Sequence, residues 1–280
     1  MRMVDTNFGS TVVVKCGGVV AERPELLCAD VAERHRNGER LLLVHGASSD
    51  IDRIAGQFGV RQRRLVGPGG VSGRYTDPAT LGLAMMTWAG VVKPRLVEIL
   101  IRHGAPAIGL TGLDAGLVTA AAKKPFRASL DGRSTIIRDD RSGRITAVNG
   151  PALHRLLDAG FLPVLSPPAF GTGGPLNVDA DRLAAAVSAA MGAEELVLLS
   201  DVPGVLADPA DHGSVLPRIA VPVEGVPPVS SGGMGAKLTA ARTALVAGAR
   251  VRICSGLEPA PLSRGLAGHG TEVVLDTHDR

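Results

Sequence analysis

Short apolar runs alternate with longer amphipathic segments along most of the chain. Each run is rich in Val, Leu or Ile, and most are followed by glycine or a polar residue, a pattern typical of strands buried in a parallel sheet. Helical patterns lie at 24–35 and 179–192, and a further helix carries Lys237. This alternation predicts an α/β fold in which a mainly parallel sheet has helices on both faces. The predicted strands are residues 11–15, 40–46, 106–112, 160–167, 195–204 and 250–254.

Two segments depart from this alternation. Residues 77–103 have the pattern of one long helix, but Pro94 lies inside it and predicts a kink or a break. Residues 116–147 have poor helical periodicity and contain two turn signals, Asp131-Gly132 and Ser142-Gly143. We expect this second segment to form β-hairpins that project from the main sheet.

Composition limits the classes of function. The 280 residues are 45% hydrophobic and 20% charged, which is typical of a globular protein with an ample core. Aromatic residues are only 2%, which argues against nucleic-acid stacking, and a net charge of +3 is too small to indicate a DNA or membrane partner. Three scattered cysteines predict neither a disulfide framework nor a zinc site. Because no signal-like or membrane-length apolar run occurs, we expect a cytoplasmic protein.

Glycine-rich or polar stretches follow four of the predicted strands. Because the carboxyl ends of parallel strands lie at one edge of a sheet, these stretches should form a crest of backbone N–H groups and helix N-termini. Such a crest is a favourable environment for anionic ligands, which are expected to bind there. The four stretches are KCGG (15–18), HGASS (45–49), TGLDAG (111–116) and LSDVPG (199–204).

Two lysines are candidates for phosphate contacts. Lys15 ends an apolar strand, where a buried ammonium needs a partner unless the side chain turns out into solvent. Lys237 follows VSSGGMGA, which does not fit the P-loop because its glycines are too close together and no Ser or Thr follows the lysine. Two such lysines would stabilise a transferring phosphoryl group if a carboxylate lay between them. In LNVDADR (176–182), Asp181 is the candidate for that carboxylate, and Asp179 is predicted to be a helix cap.

Seven motifs occur in a defined order between about Val12 and Leu275. They are Lys-x-Gly-Gly, His-Gly, Arg-x-Thr-Asp, Gly-Leu-Thr-Gly-x-Asp, Asn-x-Asp-Ala-Asp, Ser-Asp-Val-x-Gly and Gly-Gly-Met-x-x-Lys. This order resembles the amino acid kinase family. Within it, the chain resembles N-acetylglutamate kinases and their relatives that phosphorylate aminoadipate or glutamate held on an amino-group carrier protein. PGGVSGRYTD (68–77) and LSPPAF (165–170) are more similar to the carrier-protein branch.

The resemblance implies a three-layer αβα sandwich made of one amino acid kinase domain, with an amino-acid-substrate lobe at about 1–175 and an ATP lobe at about 176–280. It implies that ATP phosphorylates a side-chain carboxylate to an acyl phosphate, with Mg²⁺ held mainly by phosphates and water rather than by protein ligands. The acceptor would be an N-blocked acidic amino acid on a small acidic carrier protein, in lysine or arginine biosynthesis. The family also suggests a homodimer.

The resemblance further implies the roles of individual residues. Lys15 and Lys237 match the lysines that stabilise the phosphoryl transition state, and Asp181 matches the aspartate that holds them in place. The positions that match acceptor-binding residues are Gly46, Ala47, Ser48, Arg74 and Asn177. The positions that match ATP-binding residues are Gly17, Gly18, Ser200, Asp201, Val202, Gly204, Gly232, Gly233 and Met234.

The chain departs from the family pattern at two places. Ala47 and Ser48 replace glycines that follow the histidine of the His-Gly motif, so a positive φ at Ala47 would strain its backbone. Lys93-Pro94 replaces the usual Asn-Lys of the long helix, which adds to the expectation of an altered helix there.

The basic run at 61–64 allows two interpretations. It is either a solvated loop or a rim of the amino-acid site that contacts the acidic carrier protein, and in the second case the contacts would be made by Arg61, Arg63 and Arg64.

Three alternatives to the carrier-dependent kinase follow from the same features. One is an N-acetylglutamate kinase of arginine biosynthesis. Another is a dinucleotide-dependent oxidoreductase, against which no GxGxxG motif with a following acidic residue appears after a strand. The third is a non-catalytic relative that binds an effector, against which Lys15, Asp181 and Lys237 are all retained.

Overall fold

The computed structural model describes residues 10–66, 72–225, 227 and 232–276. Because residues 68–71 lie outside these ranges, the first part of the PGGVSGRYTD motif has no structural description. The strands in the described ranges are β1 (Thr11–Cys16), β2 (Arg40–His45), β3 (Arg64–Val66), β4 (Ser72–Arg74), β5 (Ala107–Gly112), β6 (Val118–Ala122), β7 (Phe126–Leu130), β8 (Arg133–Ile137), β9 (Gly143–Val148), β10 (Leu162–Ala169), β11 (Glu195–Ser200), β12 (Arg218–Val221), β13 (Arg250–Ser255) and β14 (Thr271–Leu275).

Most helices lie between consecutive strands of the main sheet. A π-helical turn spans Trp88–Val92, and a short 3₁₀ turn spans Asp114–Gly116. Within the described ranges, no helix is both long enough and apolar enough to cross a bilayer. The α-helices are α1 (Gly18–Glu22), α2 (Glu25–Arg36), α3 (Ser48–Gln57), α4 (Pro78–Thr87), α5 (Lys93–Arg102), α6 (Gly150–Asp158), α7 (Ala180–Met191), α8 (Gly232–Val246) and α9 (Pro261–Leu266).

Eight strands form the central sheet in the order β12-β14-β13-β11-β1-β2-β10-β5. From β13 to β5 every neighbouring pair is parallel. Strand β14 runs antiparallel to β13, and β12 is parallel to β14. The prediction of a mainly parallel sheet is therefore confirmed. The parallel arrangement also brings the carboxyl ends of β1, β2, β10 and β11 to one edge.

The two faces of the sheet carry separate hydrophobic cores. Along β1, Val13 packs into the core that contains α7 and α8, whereas Val12 and Val14 pack into the core that contains α2 and α5. This alternation follows from the two-residue repeat of a strand, and it makes a sheet that is covered on both sides. The three-layer αβα architecture is thus confirmed. The same repeat directs Lys15 toward the face that α7 covers.

The long helix continues through the segment before Pro94. The backbone at Thr87 and at Val92 is helical, and the π-helical turn lies between α4 and α5. Proline cannot donate the i→i−4 hydrogen bond, and its ring crowds the preceding turn, so a wider turn before it relieves the conflict. Of the two expected outcomes, a kink or a break, the chain does not break at Pro94, and the departure from regular α-helix takes the form of this π-turn just before it.

Hairpins project from the main sheet as expected. Strands β7 and β8 pair across the turn at Asp131 and Gly132, whose φ values of 52° and 80° are those of a type I′ turn. Strands β4, β3, β7 and β8 form a second sheet, and β6 pairs with β9. The other turn signal behaves differently, because Gly143 is the first residue of β9.

Candidate active site

A buried carboxylate lies between two lysine ammonium groups at the carboxyl edge of the sheet. Lys15 Nζ is 2.7 Å from Asp181 Oδ1, and Lys237 Nζ is 3.3 Å from Asp181 Oδ2. The side chain of Asp181 is 7% exposed, and those of the two lysines are 7% and 12% exposed. These three residues come from β1, α7 and α8, so the fold brings together the group that the sequence predicted.

Local structure accounts for the position of each member. Lys15 is next to last in β1 and points to the face that α7 covers. Asp181 is in the first turn of α7, where the helix dipole favours a negative charge. Asp179 caps the same helix, because its side chain accepts a hydrogen bond from the backbone N–H of Arg182 at 3.0 Å. The prediction that Asp179 is a cap is therefore confirmed.

The Asp181 carboxylate and the Lys15 ammonium group stabilise each other's charge. Burial alone would lower the pKa of Lys15, but the Asp181 carboxylate outweighs it, and the pKa is raised above 10.5. Burial alone would raise the pKa of Asp181, but Lys15 and then Lys237 outweigh it, and the pKa is lowered below 3.8. The contribution of Asp181 to stability is lost only as pH falls through its lowered pKa, and that of Lys15 only as pH rises through its raised pKa. The Lys15–Asp181 ion pair therefore persists throughout the neutral range.

Gly17 and Gly18 lie at the junction of β1 and α1, beside Lys15. A Cβ at Gly17 would be 3.1 Å from the carbonyl oxygen of Leu199 and 3.8 Å from Lys15 Nζ. A Cβ at Gly18 would be 2.8 Å from Ser49 Oγ. The glycines therefore allow three chain segments to come together, and they keep the space beside the lysine free for a ligand.

The loop after β11 lies next to this junction, because Gly17 N donates to Leu199 O at 3.2 Å. Ser200 is buried and its hydroxyl lies 3.0 Å from a carboxylate oxygen of Asp201, which is exposed. Val202 is half-buried, and Gly204 is buried where a Cβ would be 2.6 Å from Thr271 Oγ1. The predicted nucleotide-binding loop is therefore at the crest, beside Lys15.

The glycines of the GGM motif begin the helix that carries Lys237. Gly232 has a φ of 66°, a left-handed backbone that strains other residues, and it is exposed, as is Gly233. Met234 is half-buried and packs against the core under α7 and α8. The start of α8 thus presents backbone to solvent one turn before Lys237.

The predicted acceptor positions Gly46, Ala47 and Ser48 form the entry to α3. A Cβ at Gly46 would be 3.4 Å from the Cβ of Ala180 at the start of α7. Ala47 precedes the helix with a φ of −159°, an extended value that any residue adopts. The backbone strain that a positive φ would cause at this alanine is therefore absent. Two helix N-termini, those of α3 and α7, therefore approach each other here.

Arg74 lies beside the same helix N-terminus. It donates to the carbonyl and the hydroxyl of Ser48 at 3.0 and 3.2 Å, forms an ion pair with Asp52 at 2.6 Å, and hydrogen-bonds to Gln62. Asn177 donates to Thr76 Oγ1 at 3.0 Å, two residues from Arg74 in sequence. The structure thus brings Arg74 next to Ser48 and Asn177 next to Thr76, so the residues predicted to bind the acceptor lie in one region.

The three arginines of the basic run have different environments. Arg61 is 79% exposed and forms a 3.4 Å ion pair with Asp131. Arg63 is 3.5 Å from Asp77 and stacks 4.6 Å from the centre of the Tyr75 ring. Arg64 is exposed at the start of β3. Arg63 therefore has structural contacts, whereas Arg61 and Arg64 face solvent.

Two buried basic groups near this edge were not anticipated. His45 is fully buried at the end of β2, and burial lowers its pKa to about 4, so the ring is neutral at neutral pH. Lys93 is buried, and burial lowers its pKa to about 8. Its Cδ would be 2.8 Å from a Cβ at Gly109, so only glycine there accommodates the lysine side chain. The replacement of Asn-Lys by Lys93-Pro94 was the one sequence signal for this arrangement.

A second unanticipated group links three helices beneath the acceptor positions. Asp50 is 1% exposed and pairs with Arg53 at 2.7 Å and with Arg95 at 3.2 Å. Arg95 also donates to the carbonyl of Ala21 in α1 at 3.0 Å. Asp50 and Arg53 are three residues apart, a spacing that predicts contact between side chains on one helix. Nothing in the sequence predicts that Arg95 contacts either of them.

The arrangement suits an anionic ligand. Two ammonium groups, a glycine junction and exposed helix N-termini suit phosphate oxygens. Within the ranges that the structure describes, no group of three or more His, Cys, Asp or Glu side chains is placed to hold a metal ion.

Comparison with known proteins agrees with the geometry. The profile of the amino acid kinase family matches residues 10–255. A [LysW]-aminoadipate kinase from Deinococcus radiodurans is 39% identical over 265 residues, which are 94% of this chain and 91% of the relative. The chain belongs to the amino acid kinase family. Membership confirms the expected fold and the expected enzyme class, that of the kinases.

Two further proteins are similar over most of the chain. An acetylglutamate kinase from Roseiflexus castenholzii is 38% identical over 240 residues, which are 84% of this chain and 82% of the relative. The crystal structure of smu.665 from Streptococcus mutans has a TM-score of 0.72 at 23% identity and covers 95% of this chain and 99% of that one. This likeness shows the shared fold.

Proposed function

We propose that the protein transfers the γ-phosphoryl group of ATP to the side-chain carboxylate of an N-blocked acidic amino acid, aminoadipate or glutamate held on an amino-group carrier protein. The observation that carries this proposal is the buried Lys15–Asp181–Lys237 group at a crest of helix N-termini. The similarity to a [LysW]-aminoadipate kinase supports the carrier-bound acceptor. The product is an acyl phosphate, which places the enzyme in amino-acid biosynthesis, of lysine or of arginine.

The proposed mechanism needs no general base, because a carboxylate is already ionised at neutral pH. The acceptor carboxylate lies at the entry to α3, near Gly46 and Ser48, and attacks the γ-phosphorus as the bond to the leaving oxygen breaks. Lys15 and Lys237 contact the oxygens on which charge spreads, and Asp181 keeps the two ammonium groups in place. Mg²⁺, held by the nucleotide phosphates and water, would neutralise part of that charge.

Two lobes would carry the two substrates. Residues of about 1–175 would bind the amino acid through Arg74, with Asn177 contributing from the start of the second lobe. Residues of about 176–280 would bind ATP through the loop after β11 and the start of α8. We also expect a homodimer, as the family suggests, and a cytoplasmic location, as the cysteine pattern and the lack of a signal-like apolar run indicate.

An N-acetylglutamate kinase is the second candidate, because acetylglutamate kinases are also similar over most of the chain. Family membership disfavours the dinucleotide-dependent oxidoreductase. The intact group of two lysines and an aspartate disfavours a non-catalytic relative.

One assay tests the proposed function. The protein is incubated with ATP, Mg²⁺ and each of three acceptors: carrier-linked aminoadipate, carrier-linked glutamate and free N-acetylglutamate. The acyl phosphate is trapped with hydroxylamine, and ADP release is measured in parallel. We expect a carrier-linked acceptor to give the highest kcat/KM. A preference for free N-acetylglutamate would establish the second candidate, and no hydroxamate from any acceptor would contradict both.

Changing Arg74 to lysine tests the acceptor side. A guanidinium grips a carboxylate through two parallel hydrogen bonds, which an ammonium does not reproduce. We therefore expect Arg74→Lys to raise the acceptor KM at least roughly tenfold and to leave the ATP KM nearly unchanged. Arg53→Lys, at a neighbouring ion pair, is the matched control. A change mainly in the ATP KM would show that Arg74 binds the nucleotide rather than the acceptor.

Changing Arg61, Arg63 and Arg64 to serine tests the basic run. Charges at the rim of a binding site mainly increase the rate at which the two proteins associate, and salt screens this effect. The triple variant should therefore lower kcat/KM for the carrier-linked acceptor several-fold at low ionic strength and change it little at high salt. Free N-acetylglutamate should be used as before. The Arg61/Arg64 double variant separates this effect from loss of the Arg63–Asp77 contact. Equal use of the carrier at low salt would show that the run is a solvated loop.

A further inference from the structure

A groove of about 710 Å³ runs along the outer surface of α7. One wall is β9, and the other includes Thr239, Arg242 and Thr243 of α8. Its floor is the surface of α7 that carries the small side chains of Ala186, Ala189 and Ala190. We refer to this feature, between residues 143–148 and α8, as the α7–β9 groove. Neither the ATP site nor the acceptor site described above uses it.

The strand that forms one wall has an open edge. On one side, β9 pairs with β6. On the other side, Gly143 N donates to the carbonyl of Asn177 at 2.8 Å, and the chain then turns away into α7. In the part of the chain that the structure describes, the remaining residues 144–148 therefore have no strand partner at this edge. An open edge of this kind can pair with an extended peptide.

The groove is positively charged. Arg144, Arg182 and Arg242 line it, and within the described ranges the one carboxylate of the lining is that of Asp179, on which the charge of Arg182 acts. Arg242 donates to the carbonyl of Gly225 at 2.8 Å and has further N–H groups. The acidic residue of the lining, Asp179, caps α7. The charge that complements this lining is negative.

One end of the groove borders the catalytic group. Val178 and Asp179 belong to its lining, and they lie between Asn177 and Asp181 in sequence. The charges of Asp181 and Lys15 act on the carboxyl of Asp179, so this end of the groove is close to both residues. A chain that occupies the groove thus ends beside the predicted acceptor site.

We propose that the α7–β9 groove binds an extended acidic segment of the carrier protein, which pairs with the open edge of β9 and leads the attached acceptor to the catalytic lysines. This inference rests on the proposed function, because it names where the carrier lies. Five residues of added strand would extend about 17 Å, at roughly 3.4 Å per residue. The arginines bind the acidic side chains, and the alanines of α7 allow the peptide backbone to approach.

Hydrogen exchange of the full-length protein tests the site independently of turnover. With an acidic amino-group carrier protein added, the backbone amides of residues 144–148 should exchange more slowly, and a carrier whose acidic tail residues are changed to glutamine should give less protection. The Arg144→Ser/Arg182→Ser variant should lose this protection and raise the KM for the carrier-linked acceptor by about tenfold at low salt. Its kcat and its ATP KM should be unchanged. Arg155→Ser, an exposed arginine of α6, is the matched control.

The outcomes separate this inference from the proposed function. If the carrier does not slow exchange at residues 144–148, the proposal that it binds in the α7–β9 groove is wrong, even if the carrier-linked acceptor is phosphorylated. Protection confined to residues 61–66 places the segment at the rim and also overturns it. Protection that rises with protein concentration without carrier shows a second copy at the edge and overturns it as well. Protection at 144–148 without phosphorylation supports the groove and contradicts the proposed function.

Discussion

Changing Lys237 to alanine is expected to lower kcat by about 10²- to 10⁴-fold in a protein that stays folded, and Lys15→Ala should have an effect of the same size. In the proposed mechanism each ammonium contacts charge that develops mainly in the transition state, so kcat should fall more than the KM values change. Initial rates of ADP release at saturating substrates measure kcat. Thermal unfolding checks the fold, because Asp181 keeps one lysine partner in either variant.

Two controls make the lysine result specific. Lys124→Ala removes an exposed lysine and should leave turnover unchanged. Lys237→Arg keeps the charge but not the compact ammonium, so it should recover only part of the activity. If either alanine variant at Lys15 or Lys237 retains nearly wild-type turnover, the role assigned to that lysine is wrong.

The sheet and the Lys15–Asp181–Lys237 group were predictable because both depend on burial. An apolar strand that ends in lysine poses the problem of a buried charge, and a carboxylate at a strand-to-helix junction is the natural partner. The structure places Lys15 and Asp181 2.7 Å apart for that reason. The motif order then identified the family, since it fixes which strand ends carry glycine and which carry charge.

The last strands of the sheet escaped prediction. Strand β12 has only four residues inside a polar, proline-rich stretch, so it has little hydrophobic periodicity of its own. Strand β14 follows the short helix α9 and pairs antiparallel to β13, a reversal that no local signal specifies. Both strands are stabilised by pairing with each other. This stabilisation depends on tertiary structure, so the sequence of either segment alone does not predict that it forms a strand.

The surroundings of the acceptor positions also depend on tertiary structure. The sequence indicated Arg74 by its motif, but not that Asp52 and Gln62 already share its guanidinium. It indicated a basic run, but not that Arg63 stacks on Tyr75. These contacts join residues that are neighbours only after the hairpin and α3 have packed together.

Changing Asp181 to asparagine removes the charge that keeps two buried lysines close together. With only a neutral amide between them, the ammonium groups of Lys15 and Lys237 repel, and burial favours loss of a proton from one of them. We expect kcat to fall by about 10²- to 10³-fold and the free energy of unfolding to decrease by about 3 kcal/mol, since breaking a buried ion pair is strongly destabilising.

The pH dependence distinguishes this electrostatic role from a merely structural one. In the wild type the raised pKa of Lys15 keeps its charge well into the alkaline range. In Asp181→Asn the residual activity should decline at lower pH than in the wild type, because one lysine now deprotonates earlier. Asp179→Asn is the matched control, since asparagine caps a helix as well as aspartate does and turnover should change little. An equal loss of turnover in both variants at unchanged stability would mean that Asp179, and not Asp181, is the carboxylate on which the two lysines depend.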